Sequence, residues 1–82
     1  MDGYTYVYVL QSKADPRRHY TGLTDNLATR LQKHNDGGVP HTAKYRPWQI
    51  RTATAFSERD RAAAFEQYLK THSGRVFASR HF

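Results

Sequence analysis

An α+β fold is predicted, with elements in the order β-β-α-β-α followed by a last short helix. Three observations carry it. Tyr4 to Gln11 alternates, with Tyr4, Tyr6, Tyr8 and Leu10 on one face and Thr5, Val7, Val9 and Gln11 on the other. Asp15-Pro16 is a turn signal between this segment and a second short strand. Two later segments repeat apolar residues at helical spacing around a stretch rich in Ile, Thr and Ala.

The first strand hands over through a long basic loop, Ser12 to Arg18, to a strand over His19 to Leu23, and the two read as an antiparallel hairpin. Thr24 or Asp25 is expected to cap the next helix, Asp25 placing negative charge at its positive end. Leu27, Leu31 and His34 recur on that helix with Arg30 beside them, and Asn35-Asp36-Gly37-Gly38 with Pro40 ends it. Residues 36–47 are expected to form a polar loop. Pro47-Trp48 opens a third strand, Gln49 to Phe56, buried on one side. Ser57-Glu58-Arg59-Asp60 is close to a capping box and starts a helix with Ala62, Phe65, Glu66 and Leu69 on one face. That helix is expected to end near His72, with Ser73-Gly74 breaking it and Arg75 to His81 forming the final helix.

At 82 residues the chain is read as one domain over 1–82. Aromatics make up 13% of it, so Tyr and Phe must supply much of the buried area. With no cysteine, disulfides, thiolate zinc sites and cysteine nucleophiles are excluded, which fits a cytoplasmic protein. The run Tyr6 to Leu10 is too short for a signal peptide or a membrane span. The net charge of +6 is dispersed rather than gathered in a tail, and interleaved Tyr and His make it a reasonable footprint for a nucleic-acid backbone.

Five polar residues fall where a small domain places core or core-edge side chains: Tyr8, Tyr20, Arg30, His34 and Glu66. Each has a plainer reading. Glu66 is either a boundary carboxylate paired with Lys70 at i+4 or a ligand for a hard divalent cation, for which one carboxylate suffices. Arg30 and His34, four apart on one helix, are either a snorkelling arginine with a satisfied histidine or a phosphate clamp. The tyrosines suit strands in any case. A phenol of pKa about 10 is a base only where a cation such as Arg30 or a metal favours its ionised form. Gly22, at a strand end before a helix, permits a close approach. The five histidines lack the paired spacing of a zinc set, and no Gly-x-Ser-x-Gly element is present.

The ordered set Tyr8 in Val7-Tyr8-Val9, Tyr20-Thr21-Gly22, Arg30, His34 and Glu66 resembles the GIY-YIG nuclease superfamily. It is most similar to short single-domain bacterial members related to the nuclease module of excision-repair and intron-homing endonucleases. Leu31-Gln32-Lys33-His34-Asn35, Thr42, Pro47-Trp48 and Glu66-Gln67-Tyr68-Leu69-Lys70 support the match, which covers nearly the whole chain. The first motif keeps only the tyrosine of Gly-Ile-Tyr, and the second reads Tyr-Thr-Gly for Tyr-Ile-Gly. The resemblance implies a small three-stranded antiparallel sheet flanked by helices. It also implies phosphodiester hydrolysis in nucleic acid, expected to be DNA, with one Mg²⁺ or Mn²⁺ held by Glu66. Tyr8 or Tyr20 would activate water, Arg30 would neutralise charge on the phosphate, and His34 would assist by hydrogen bonding or proton relay. Lys33, His41, Lys44, Arg46 and Lys70 are the residues expected to touch the nucleic-acid backbone. The rivals are a nucleic-acid-binding module of this fold with little cleavage and a protein-interaction domain whose charge only aids solubility.

Overall fold

A computed structural model describes residues 3–82, so Met1 and Asp2 of the expected domain lie outside the described residues. The elements are β1 (Thr5–Ser12), β2 (His19–Thr24), α1 (Leu27–Asn35), α2 (Pro40–Ala43), β3 (Trp48–Phe56), α3 (Arg59–Leu69) and α4 (His72–His81). The three strands form one antiparallel sheet in the order β2-β1-β3. This is the α+β architecture that the order of patterns predicts.

β1 is the central strand, and its alternation feeds two cores. Val7 and Val9 pack with Ala62 and Leu69 of α3, with Phe65 and Phe77 at the margin. Tyr8 and Leu10 point to the other face, onto Trp48, Tyr20, and Leu27 and Leu31 of α1. Covered on both sides, β1 needs apolar or aromatic residues at every interior position, whereas the outer half of β3 keeps half-buried Thr52, Thr54 and Phe56 against exposed Arg51, Ala53 and Ala55. The ladder between β1 and β3 slips after Val9, which pairs with Thr52, while Leu10 pairs with Ile50. Arg51 is thus the extra residue of a β-bulge.

Four local expectations are corrected. The cap of α1 is Asn26, whose side chain accepts from the Thr29 N–H at 3.0 Å. Thr24 instead braces Asn26, accepting from its N–H at 3.1 Å, and Asp25 pairs with Arg59 at 3.0 Å. The polar loop contains a helical turn, α2, started by Pro40 at a first-turn position where its missing N–H costs nothing. Glu58, not Ser57, precedes α3, with no side-chain cap bond. Finally, α3 ends at Leu69, and Ser73-Gly74 lie inside α4, capped by Thr71 accepting from Gly74 N–H at 3.1 Å. Gly74 is not a breaker but a contact point: a Cβ there would lie 2.6 Å from Leu69 Cα. Only glycine lets α4 fold back this tightly against the end of α3.

Candidate active site

Tyr8 and Gly22 are directly opposed in the ladder between β1 and β2. The Tyr8 ring lies across the glycine, where a Cβ would stand 2.5 Å from the phenol Cζ and 2.9 Å from Cε1. The close approach that Gly22 permits is therefore that of Tyr8. The ring is buried at 2% exposure, and its hydroxyl meets His34 Nε2 at 3.0 Å.

α1 delivers His34 to that point. The imidazole is fully buried, and its second nitrogen, Nδ1, meets Thr42 Oγ1 of α2 at 2.8 Å. Thr42 Oγ1 also donates to Val39 O at 3.2 Å, which commits the threonine proton. It must then accept from His34 Nδ1–H, leaving Nε2 with a lone pair to accept from the Tyr8 hydroxyl. The geometry defines a directed chain from Tyr8 Oη through His34 and Thr42 to the Val39 carbonyl. Tyr20 covers it, its ring 4.9 Å from that of His34 and 6.3 Å from that of Tyr8.

Electrostatics hold both groups neutral at rest. Burial, followed by Arg30 and Lys33, pushes the His34 pKa below its ordinary value. Tyr8 is raised to about 12, first by burial and then by Tyr20. The half-buried Arg30 guanidinium beside the phenol opposes this, and the more distant Glu66 adds to it. Arg30 does favour the phenolate, as expected from the sequence, but desolvation outweighs it.

Glu66 lies on α3 at 8% exposure, the one buried carboxylate among the described residues. It accepts from Gln67 Nε2 at 2.9 Å and pairs with Lys70, the plainer pairing anticipated above. A single sheltered carboxylate suits Mg²⁺ or Mn²⁺, which take water and phosphate oxygens as their remaining ligands. Lys70 has a half-exposed side chain free to withdraw. A closed cage does not suit it, since no group of three His, Cys, Asp or Glu clusters among the described residues.

The residues expected to meet nucleic acid are all exposed, but they do not form one surface element. Lys33 and Arg46 flank the Gly37-Gly38 turn after α1, with Arg46 Nε tied to Ala43 O at 2.8 Å. His41 and Lys44 lie at α2, Lys44 5.6 Å over the Tyr45 ring. Lys70 stands apart at the end of α3. Two kinds of residue were missed. Asn35 clamps the start of β3, accepting from Trp48 N–H at 2.6 Å and donating to Trp48 O at 3.1 Å, while Trp48 Nε1 donates to Thr42 O at 2.8 Å. Both were visible as motif neighbours, but their role depends on a contact between distant segments. The other group is the basic residues Arg17, Arg18, Arg51 and Arg75, which the fold gathers with Lys70 around one groove.

The sheet thus presents a buried Tyr–His chain with an arginine alongside, and α3 carries a sheltered glutamate. The family model for the GIY-YIG catalytic domain matches residues 4–79, and the chain belongs to that family. It is 35% identical over 74 residues to the structure-specific endonuclease subunit SLX1 homolog of Giardia intestinalis, covering 85% of this chain and 20% of that protein. It is 36% identical over 66 residues to the UPF0213 protein BLi00048/BL00536 of Bacillus licheniformis, covering 79% of this chain and 66% of that protein. The solution NMR structure of UPF0213 protein BH0048 from Bacillus halodurans superposes with a TM-score of 0.56 at 26% identity, covering 94% of this chain and 83% of that one. The chain thus spans a fifth of the SLX1 relative and about two thirds of the Bacillus licheniformis one.

Proposed function

We propose that this chain is an endonuclease that hydrolyses phosphodiester bonds of DNA with one divalent cation. The observation that carries the reading is the buried chain from Tyr8 through His34 to Thr42, directed by its hydrogen bonds and flanked by Arg30. Tyr8 Oη takes a proton from the attacking water while its own proton passes to His34 Nε2, so the phenol never has to exist free as phenolate. The transfer is uphill at rest, because His34 is held neutral and Tyr8 protonated. An anionic phosphate drawn to Arg30 offsets the imidazolium that forms, so proton movement is tied to substrate binding. Glu66 would hold Mg²⁺ or Mn²⁺, which when bound supplies positive charge to the scissile phosphate and the departing 3′-oxygen. Lys33, His41, Lys44, Arg46 and Lys70 are assigned to the DNA backbone by charge and exposure.

The test is a panel of duplex, nicked and branched DNA incubated with Mg²⁺ or Mn²⁺, beside Tyr8→Phe and Glu66→Gln proteins. Metal-dependent cleavage by the wild type that both substitutions abolish supports the reading. Tight binding with no cleavage of any substrate would replace it with a binding module of the same fold.

A further inference from the structure

Beside the Tyr20 edge of the site the molecule carries a groove of about 700 Å³ between the hairpin loop, the sheet and α4. Five permanent cations line it, Arg17, Arg18, Arg51, Lys70 and Arg75, and no acidic side chain does. Asp15 pairs with Arg17 at 3.0 Å and with Arg18 at 3.7 Å, and Glu66 pairs with Lys70. Even after those two acids are counted, the groove keeps a positive excess. Its effect is felt by His19 on the wall, whose pKa is lowered by burial and then by Arg51.

Arg51 is in the groove because of the bulge. Paired residues share a face, so Thr52 lies with Val9 and Ile50 with Leu10 on opposite sides of the sheet. Regular alternation from Thr52 would put Arg51 on the α1 side. Instead it lines the groove with Val9 and donates from Nε to Phe82 O at 3.1 Å, on the α4 side. A bulge that re-aims a side chain is a recurrent device at binding sites.

Between the cations the lining is apolar and aromatic: Tyr20, Leu69, Ala78 and Phe82. That mixture selects the occupant. A duplex hides its bases and asks only for a charged rim, whereas a single strand offers phosphates to cations and base faces to apolar and aromatic surface. We infer that this groove binds a single-stranded DNA arm leading away from the Tyr8–His34 centre, with Arg17, Arg51 and Arg75 on its phosphates and Phe82 against its bases. The inference rests on the nuclease reading, and it makes a junction between paired and unpaired DNA the substrate class, the duplex lying on the α1–α2 side.

The experiment uses the whole chain in EDTA, so that binding is read without cleavage. A short labelled oligonucleotide is titrated as a single strand and as a blunt duplex, with wild type and with Arg17→Gln/Arg75→Gln. Both positions are exposed, and neither belongs to the catalytic set. Losing two phosphate contacts should flatten the single-strand slope of log K against log salt by about 1.4, at about 0.7 each. Duplex binding should change less, and the His19 ring should titrate at higher pH when the single strand is bound. Single-strand affinity and slope unchanged in the double variant, with the wild type still cleaving DNA, would overturn the groove alone. An equal loss for the duplex would replace the single strand with a duplex track. A wild type that neither binds nor cleaves DNA would bring down the nuclease reading with it.

Discussion

At the level of single residues, Tyr8 and His34 are buried polar groups that satisfy each other. Replacing Tyr8 with Phe removes the only hydroxyl facing His34 Nε2. We expect cleavage to fall by about 10²–10⁴-fold, the range of a general base. An unsatisfied buried acceptor should also cost about 1–3 kcal/mol, measurable as a lower urea midpoint at unchanged slope. Tyr20→Phe is the matched control, since its ring packs on the same histidine. If Tyr20→Phe is inactive while Tyr8→Phe cleaves normally, the base is Tyr20. The pH profile separates the partners. His34 must be neutral to accept the proton, and its pKa is lowered, so the rate should fall only when pH drops below the ordinary histidine value of about 6.5. Tyr8 is raised to about 12 and the relay needs its hydroxyl protonated, so the rate should stay level from neutral pH to at least pH 10 at saturating metal. A rate that climbs steadily across that range would mean that a free phenolate, not the relay, activates the water. Glu66→Gln should abolish metal-dependent cleavage while DNA binding in EDTA persists, since the amide keeps the carboxylate's shape.

At the level of elements, the site is assembled by three segments that meet end-on: α1 brings His34, α2 brings Thr42, and the first residue of β3 locks both through Asn35 and Trp48. Asn35→Ala removes both side-chain bonds to the Trp48 backbone, and we expect a stability loss of about 1–3 kcal/mol. Acid should act at the same place. The folded state holds His34 neutral with a lowered pKa, so the unfolded chain binds a proton more readily. The stabilisation is fully present above the unfolded value near 6.5 and is lost as pH falls below it. A thermal midpoint that drops between pH 7 and pH 5 in wild type, and less steeply in His34→Gln, is the expected result; parallel curves would place the acid sensitivity elsewhere. The elements themselves were largely legible because β1, α1 and α3 follow the two hydrophobic periods. What failed were the ends. Thr24, Asp25 and Asn26 are all competent caps, and only the bracing bond from Thr24 selects Asn26. Ser73-Gly74 has the composition of a break, and its place inside α4 depends on the tight pass over Leu69, a contact between two helices that no local pattern encodes. The five polar residues were legible as a set, since polar groups at core positions stand out. The order of their hydrogen bonds was not, because it is fixed by Thr42 and the Val39 carbonyl in a stretch that reads only as polar loop.

Over the whole molecule, the excess of positive charge is divided by the sheet between two faces of different character. On the α1–α2 side, Lys33 in the last turn of α1 and Lys44 and Arg46 just after α2 are exposed near the Tyr8–His34 chain. Across the sheet, Arg17, Arg51 and Arg75 line a groove. The bulge at Arg51 is what moves one cation from the first face to the second, and no periodicity in the sequence announces it. With a net charge of +6 from 13 basic residues, we expect DNA binding to be predominantly electrostatic and poorly selective for sequence. The division by face makes a sharper prediction than the total. On blunt duplex, log K against log salt should fall with a slope of about −0.9 for each phosphate contacted. Lys33→Gln/Lys44→Gln should reduce the steepness by about 1.8 on duplex, two contacts at about 0.9 each. On DNA of random sequence the loss should be the same as on any defined sequence. Fluorescence anisotropy across a salt series measures all of these. A flat salt dependence would remove nucleic acid from this face altogether. A slope that responds to Arg75→Gln but not to Lys33→Gln/Lys44→Gln would move the duplex to the α4 side. It would then approach Tyr20 from the groove, with the α1–α2 turns left as positioning structure for His34.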